Sequence, residues 1–488
     1  MSMKYISKSS YMAGVDCHRM LWQKLWDRKS AAPLDGMTEL IFEFGNRFGV
    51  LAHQLFPGSV LIDINIFKLN RAVEDTKKAI EGGADVILEA TFCHEQCRVL
   101  SDVVERQEDG TWHLIEVKSS THVKDEHYPD LAYQKWVMEQ SGYPVSKCSV
   151  IHADKEGVWP DVASVFKEVD VTEEVNAAVQ VVGDNVAAMV PLAQPGSAAP
   201  DARPLFSKTC HDCDFKKTVC WKDINEPTIY DVIDVRKIPG LEAQGVFYVK
   251  DIPDDYDLYA NDRRNVDCMN SQGVDIDRAG LQSMLDELEY PIYFLDFETA
   301  AVAVPMFDGN HPWEKLPFQY SLHIMEENGE VRHAEYLHEE NSDPAEALAG
   351  RLAGDIGDQG SVVVYHKTME SGVLKYLAER FPQHAASMHS MNDRIWDLEV
   401  VFLKHYRDWR FGSRSSIKVV LPTLVPELTY EDENISDGGA ASLGWVRMIE
   451  SDDFITRQEK ADALRSYCKL DTIAMVELLK HVRTVMDG

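Results

Sequence analysis

Apolar residues recur at helical spacing from Met12 to Trp26 and again from Thr38 to Leu55, which predicts two helical stretches at the start of the chain. The period then changes. Val86–Phe92, Val99–Arg106 and Trp112–Val117 read as strands, and Asp130–Glu139 returns to a helical pattern. The stretch Leu192–Pro204, LAQPGSAAPDARP, is a loop by composition, and Ile252–Gly273 is rich in Asp and Asn and poor in periodicity. After about Gly280 a different order begins. The apolar run PIYFLDFETA is followed by strands at Phe318–Met325 and Val331–Leu337 around the hairpin signal Asn328-Gly329. A helix at Ala345–Ile356, the buried strand SVVVYH, a helix at Glu370–Arg380 and a long helix at Arg457–Val485 complete it. The two halves share no repeat. The expectation is a mixed α/β (α+β) protein with domains at residues 1–230 and 281–488 and a linker at 231–280.

Composition adds bounds. A chain of 488 residues exceeds one ordinary core, and 45% hydrophobic with 9% aromatic residues excludes a disordered chain. No apolar run approaches the ~18 residues of a membrane span. The opening MSMKYISKSSYMAG lacks the apolar core of a secretion signal, so a cytoplasmic location without membrane contact is expected. The net charge of -32 opposes a broad nucleic-acid footprint, since phosphate binding draws on basic surface. Local exceptions are Lys216, Lys217 and Lys222, then Arg263 and Arg264, then Arg410, Arg414 and Lys418. Nine cysteines, an odd number, fit a reducing compartment without a disulfide framework.

The segment SDVVERQEDGTWHLIEVK, from Ser101 to Lys118, reads as two strands around the loop Glu108-Asp109-Gly110. That register sets Asp102 opposite Glu116, and period two puts Glu116 and Lys118 on one face. Facing carboxylates can hold a divalent cation, and the ammonium can stabilise charge on a phosphate. Taken alone, Glu-Val-Lys is a weak signal, better read as a surface hairpin whose mixed charges pair across strands. Upstream, Gly45, Gly49 and His53 share one helix face, with the glycines read as permitting close backbone approach. Downstream, Gln134 lies beside Leu131 and Met138, an amide where an apolar residue is expected. The order Gly-x-x-x-His, Asp, Glu-x-Lys and helical Gln resembles the PD-(D/E)XK nucleases of the RecB type, including CRISPR-associated and AddB-like members. The resemblance implies His53, Asp102 and Glu116 as metal ligands, Lys118 as the catalytic lysine and Gln134 as the residue that positions it or the DNA. The tyrosine that often follows that Gln is absent here, where Lys135, Trp136 and Val137 follow.

Cys210, Cys213 and Cys220 form a C-x-x-C pair with a third cysteine, and Cys17 lies near the N-terminus. Four thiolates can hold zinc or an iron-sulphur cluster, and spacing does not choose between them. RecB-type nucleases with an iron staple have this layout, so the resemblance implies a [4Fe-4S] cluster, with structural Zn2+ as the alternative.

In the second half, Asp296 and Glu298 stand two apart at the end of an apolar strand and point the same way. Leu464, Tyr467, Asp471, Ala474 and Leu478 line one stripe of the last helix, and an aspartate there needs a partner or a metal. Asp-x-Glu on a first strand and Tyr-x-x-x-Asp in SYCKLDT resemble the ribonuclease-H-like exonucleases of the DnaQ group. That resemblance implies Asp296, Glu298 and Asp471 as ligands of Mg2+ or Mn2+ and Tyr467 as the residue that orients water. The middle acidic position falls at Glu370, where that group usually has aspartate. The intervening GSRSSIKVVLPTLVPEL, Gly412–Leu428, resembles a bacterial fusion family described only as a domain of unknown function, which joins the same two halves. The implied activity is dual nucleolytic hydrolysis of DNA, chiefly single-stranded ends, with 3′ to 5′ polarity in the second half. The rival expectations are a nucleic-acid-binding scaffold with one or both centres inactive, and an exonuclease directed at RNA.

Overall fold

The computed structural model describes residues 3–65, 68–201, 210, 213–430 and 435–487, so residues 202–204 of the expected loop lie outside the described residues. The architecture is mixed α/β and divides into two compact units. The first comprises Met1–Leu34, Ile41–Asp223 and Val302–Glu314; the second comprises Asp35–Leu40, Ile224–Ala301 and Lys315–Gly488.

The first unit holds a six-stranded sheet with β1 (Val60–Leu61), β2 (Val86–His94), β3 (Cys97–Arg106), β4 (Trp112–Lys118), β5 (Val145–Ala153) and β6 (Phe166–Asp170) in sequential order. The β3–β4 hairpin closes through Glu108–Gly110, and Gly110 takes a φ of 83°, a left-handed conformation that glycine adopts without Cβ strain. β4 and β5 are parallel, so the chain must cross over between them. The helix His127–Gln140 makes that crossover, and it buries residues on several faces. Tyr133 on this helix stacks on Tyr11, with ring centroids 4.2 Å apart and planes 7° from parallel, and donates its hydroxyl to the Ile6 carbonyl at 2.7 Å. This packing fixes the azimuth of the helix. Asp130 and Gln134, on its buried side, are thereby held in the interior.

In the second unit, β8 (Ile292–Ala300), β9 (Leu316–Met325), β10 (Val331–Leu337), β11 (Val362–Val364) and β12 (Ile395–Asp397) form a sheet in the order β10-β9-β8-β11-β12. β8 has a neighbour on each side, antiparallel β9 and parallel β11, which accounts for its continuous apolar run. All ten residues of β9 are buried. The β9–β10 hairpin turns at Gly329, φ 87°, as Asn328-Gly329 predicts. The helix Phe454–Asp487 packs on β8 and β9, and Trp445 of the helix Gly438–Glu450 stacks on Phe318 at 4.6 Å while donating Nε1–H to the His338 carbonyl at 2.8 Å.

The segment 231–280, expected as a linker, is folded. Helices Ile229–Val232, Ile238–Glu242 and Ala260–Ser271 enclose a small core of Ile229, Ile233, Leu241, Val249 and Val266. β7 (Val274–Ile276) then pairs with β13 (Tyr406–Asp408). Two of these helices have four and five residues, too few for a 3.6-residue period to register. The third ends at Gln272 in a left-handed conformation, φ 49°, where glycine is the usual signal. Among the described residues, no single helix is long and apolar enough to cross a membrane; one bent pair, Thr172–Val179 with Val182–Ala193, meets that criterion only when joined.

Trp445 is fully buried. Trp445→Ala should cost the second unit about 3–5 kcal/mol in urea unfolding, the range for losing a buried aromatic. Trp445→Phe should retain most of that stability, losing chiefly one hydrogen bond of about 1 kcal/mol.

Candidate functional site

The hairpin ladder pairs Val103 with Ile115, so Asp102 comes level with Glu116, and Asp102 Oδ2 accepts the Val117 N–H at 2.7 Å. Glu116 is 1% exposed and fully engaged. Lys118 and Lys8 reach its Oε1 at 2.7 and 2.5 Å, and Gln134 donates to its Oε2 at 2.7 Å. Asp130 accepts from Lys118 at 2.7 Å and from Gln134 at 3.3 Å, while Ser101 donates to the Gln134 carbonyl at 2.9 Å. The Gln134 amide is therefore locked in one orientation. Burial alone would raise the Glu116 carboxyl, but the Lys118 and Lys8 ammonium groups outweigh it and hold it at about 2. Asp102 is pushed the other way, up to about 7, by burial and then by the charge on Glu116. The result is a pair of carboxyls whose affinities for a proton are split by their surroundings.

His53 opens a short turn after the helix Gly36–Ala52, and its Nε2 lies 3.5 Å from Glu89 Oε1. Its partner is thus an acid that the sequence reading missed. Glu89 interrupts the β2–β3 pairing and takes a left-handed φ of 56°, a conformation costing roughly 1–2 kcal/mol for a non-glycine residue. Burial raises its carboxyl, opposed by His53 and Lys8. A lone acid inside the apolar strand VILEATF was its one sequence signal. Asp130 had another, lying one helical turn before Gln134, whereas Lys8 had none. The close approach expected at Gly45 and Gly49 is not found. A Cβ at Gly45 would meet Ser119 Oγ at an ordinary 3.7 Å, and one at Gly49 would meet nothing within 4 Å. Helix packing there leaves room that side chains could occupy.

In the second unit, the end of β8 brings Asp296 and Glu298 beside Asp471 and Cys468 of the last helix. Ligand atoms of Asp296, Glu298 and Cys468 lie within 4.8 Å of one another, and the Cys468 thiol points to Asp296 Oδ2 at 3.5 Å. Tyr430 donates its hydroxyl to Asp471 Oδ1 at 2.6 Å. Lys418 sits 5.3 Å from the Tyr467 ring and 5.6 Å from that of Tyr430. Asp296 is raised well above the usual carboxylate range by burial, then by the charges on Asp471, Glu298 and Glu370. Glu298 is raised likewise by burial and by Asp471, with Lys418 opposing. Glu370, 2% exposed, therefore joins this group electrostatically; burial lifts it to about 8, and Asp397 adds to the effect. Its Oε2 is buried without a hydrogen-bond partner among the described residues. The sequence reading missed Lys418 as a site residue, and it missed Tyr430 and Cys468.

Cys17, Cys210, Cys213 and Cys220 line one small cavity with Met20 and Trp221, and none is in a disulfide. The Cys213 thiol is raised by burial and then by Cys210, Cys220 and Cys17, so the four sulphurs share one environment. Among the described residues, no three of these sulphurs lie within 4.8 Å of one another.

Residues 293–416 match the model of a domain of unknown function, DUF2779. A solved structure titled "Crystal structure of SSO0001" is similar at 15% identity, covering 43% of this chain and 97% of that one with a TM-score of 0.17, which carries no argument. No curated protein matches the chain.

The Glu370 carboxyl binds its proton more tightly in the folded state, at about 8, than in the unfolded chain, at about 4.5. Between those values the folded state holds a proton that the unfolded state has released, so stability falls as pH rises through this window, by at most about 1.4 kcal/mol per pH unit. Glu370→Gln should flatten that fall in urea titrations of the second unit at pH 5 and pH 8 in EDTA. An unchanged slope would show that Glu370 is not the titrating group.

Proposed function

We propose that the chain is a metal-dependent dual nuclease, with a RecB-like PD-(D/E)XK centre in the first unit and a DnaQ-like, ribonuclease-H-like exonuclease centre in the second. The observation that carries this is the gathering of Asp296, Glu298, Glu370 and Asp471 in one largely buried place, with the Lys418 ammonium acting on Glu298. Like charges so placed repel strongly unless cations lie between them. Carboxylate oxygens dominate the donors, with the Cys468 thiol beside them, and among the described residues Glu370 Oε2 lacks a partner, so the set fits a hard divalent ion such as Mg2+ or Mn2+. Asp296, Glu298 and Asp471 would hold it, with Glu370 completing the set. When bound, such ions supply Lewis-acid stabilisation of the phosphodiester under attack. The protein does the rest. Tyr430 fixes the Asp471 carboxylate, and the Tyr467 phenol, kept protonated by burial, orients the attacking water. Lys418, facing both rings, offers positive charge to the phosphate.

In the first unit His53, Asp102 and Glu116 would hold the metal, with Glu89 a further acid beside His53. Lys118 would stabilise charge on the phosphate, and Gln134 keeps Glu116 oriented. One observation favours the scaffold reading for this half. The two lysines and Gln134 already satisfy both oxygens of Glu116, so the network is neutralised without a metal. DNA, chiefly single-stranded, is the proposed substrate, with RNA as the alternative.

The test is hydrolysis of end-labelled single-stranded DNA and RNA with Mg2+ or Mn2+. Asp296→Ala should abolish 3′ to 5′ digestion, and Lys118→Ala should lower the other activity by a factor of ~100 or more. Only the double substitution should remove all hydrolysis. If Asp296→Ala leaves every product unchanged, the second centre is not an exonuclease.

The cysteine quartet is proposed to hold a [4Fe-4S] cluster. Tetrahedral zinc, with Zn–S of ~2.3 Å, needs sulphurs ~3.8 Å apart. The four cysteines line one cavity, which either group could occupy. Protein purified without oxygen should be brown with broad visible absorbance, and Cys210→Ala should bleach it; a colourless protein carrying one zinc would overturn the assignment.

A further inference from the structure

A polar cavity of about 390 Å³ lies in the second unit between the helix Ala260–Ser271 and the segment 403–413, and it shares no residue with the carboxylate group described above. Its floor is Arg407, only 4% exposed. Among the described residues, no carboxylate lies within ion-pair distance of this guanidinium. It is held by neutral acceptors: Nε donates to Asn265 Oδ1 at 2.6 Å, and Nη1 donates to the carbonyls of Phe402 and Arg414 at 3.2 and 3.4 Å. Those bonds use Nε and Nη1, one donor on each edge of the guanidinium, and leave Nη2 without a protein partner among the described residues. Asn265, 7% exposed, spends its carbonyl oxygen on Arg407, so its amide N–H groups are what it can offer the cavity.

A buried cation without a counter-ion is costly, and the fold has not relieved that cost with an acid. Burial and the neighbouring charge of Arg264 both act against the protonated form of Arg407. Each acid on the cavity wall has a partner, and one of them, Asp234, is paired with a cation. Asp231 accepts from Thr228, Asp234 binds Arg236 through both oxygens, and Asp262 accepts the Asp234 N–H at 3.1 Å. Arg407 and Asn265 line the cavity with donors, while the Arg264 guanidinium beside them is spent on Asp275 and on the Lys404 and His405 carbonyls. Planar guanidinium N–H groups match the oxygens of a phosphate.

We infer that this cavity is a phosphate-binding site, with Arg407 and Asn265 as the donors that hold the phosphate oxygens. Two sources carry that group: a free phosphomonoester such as a mononucleotide, and the backbone of a nucleic-acid strand. The volume lies within the range of small-molecule pockets, so a mononucleotide fits whole.

Calorimetric titration of the full chain in EDTA separates these sources and keeps hydrolysis out of the measurement, so the result stands apart from the nuclease proposal. The probes are inorganic phosphate, dTMP and a short single-stranded oligonucleotide. Binding of dTMP and phosphate assigns a free phosphoester; binding of the oligonucleotide alone assigns a strand. Arg407→Lys keeps the charge and loses the Nη2 donor, and should weaken binding by about tenfold. Asn261→Trp, at an exposed position on the rim, fills the cavity without touching its floor and should also weaken binding, which keeps the test valid if the Arg407 variant fails to fold. No binding of any probe by the unaltered chain, or undiminished binding by Asn261→Trp, overturns the inference.

Discussion

Carboxylates brought together away from water repel one another, and the second unit is arranged around that cost. Asp296 and Glu298 come from the central strand β8, Glu370 from the helix Thr368–Arg380 and Asp471 from the last helix. None can retreat to solvent without moving an element that is itself packed. β9 buries all ten residues against β8, and the last helix packs on both strands. Part of the repulsion is met locally, by the Tyr430 hydroxyl on Asp471 and by the Lys418 ammonium near Glu298. The rest is met by protons, since Asp296, Glu298 and Glu370 all hold theirs more tightly than free carboxyls do. A divalent cation exchanges for such protons readily, which is why this geometry supports the metal-dependent reading.

The first unit solves the same problem by the opposite route. Its acids Asp102, Glu116 and Asp130 are gathered with Lys8 and Lys118, so charge is balanced within the protein. The balance is uneven. Glu116, closest to both ammonium groups, stays ionised, while Asp102 is left to hold a proton near neutrality. An incoming cation would have to displace Lys8 or Lys118 from Glu116. Lys118 lies on the same strand as Glu116, whereas Lys8 reaches in from a helix 108 residues away in the chain.

The basic residues singled out in the sequence do not merge into a broad positive face. Arg264 is tied to Asp275, Arg410 to Asp408, and Arg263 to the Tyr256 carbonyl. Lys216 stands over Trp221 and Lys418 belongs to the carboxylate group. These cations are met one by one, by nearby acids, carbonyls or rings. Arg407 differs in being buried without an acid partner among the described residues.

Local periodicity determined much of the frame. Alternation set the β3–β4 hairpin and its Gly110 turn, the Asn328-Gly329 hairpin and the like orientation of Asp296 and Glu298, because a strand repeats every two residues wherever it is placed. Helical spacing set Gln134 and the stripe holding Tyr467 and Asp471 for the same reason. The small helices of 231–280 escaped because four- and five-residue elements do not complete a period. Tertiary structure alone decided the partners. Lys8 meets Glu116 across 108 residues and Tyr430 meets Asp471 across 41, separations at which no periodic pattern links one residue to another. It also decided protonation. Asp102 and Glu116 are both acids on one hairpin, and what sets one near 7 and the other near 2 is which of them the folded chain places against two ammonium groups.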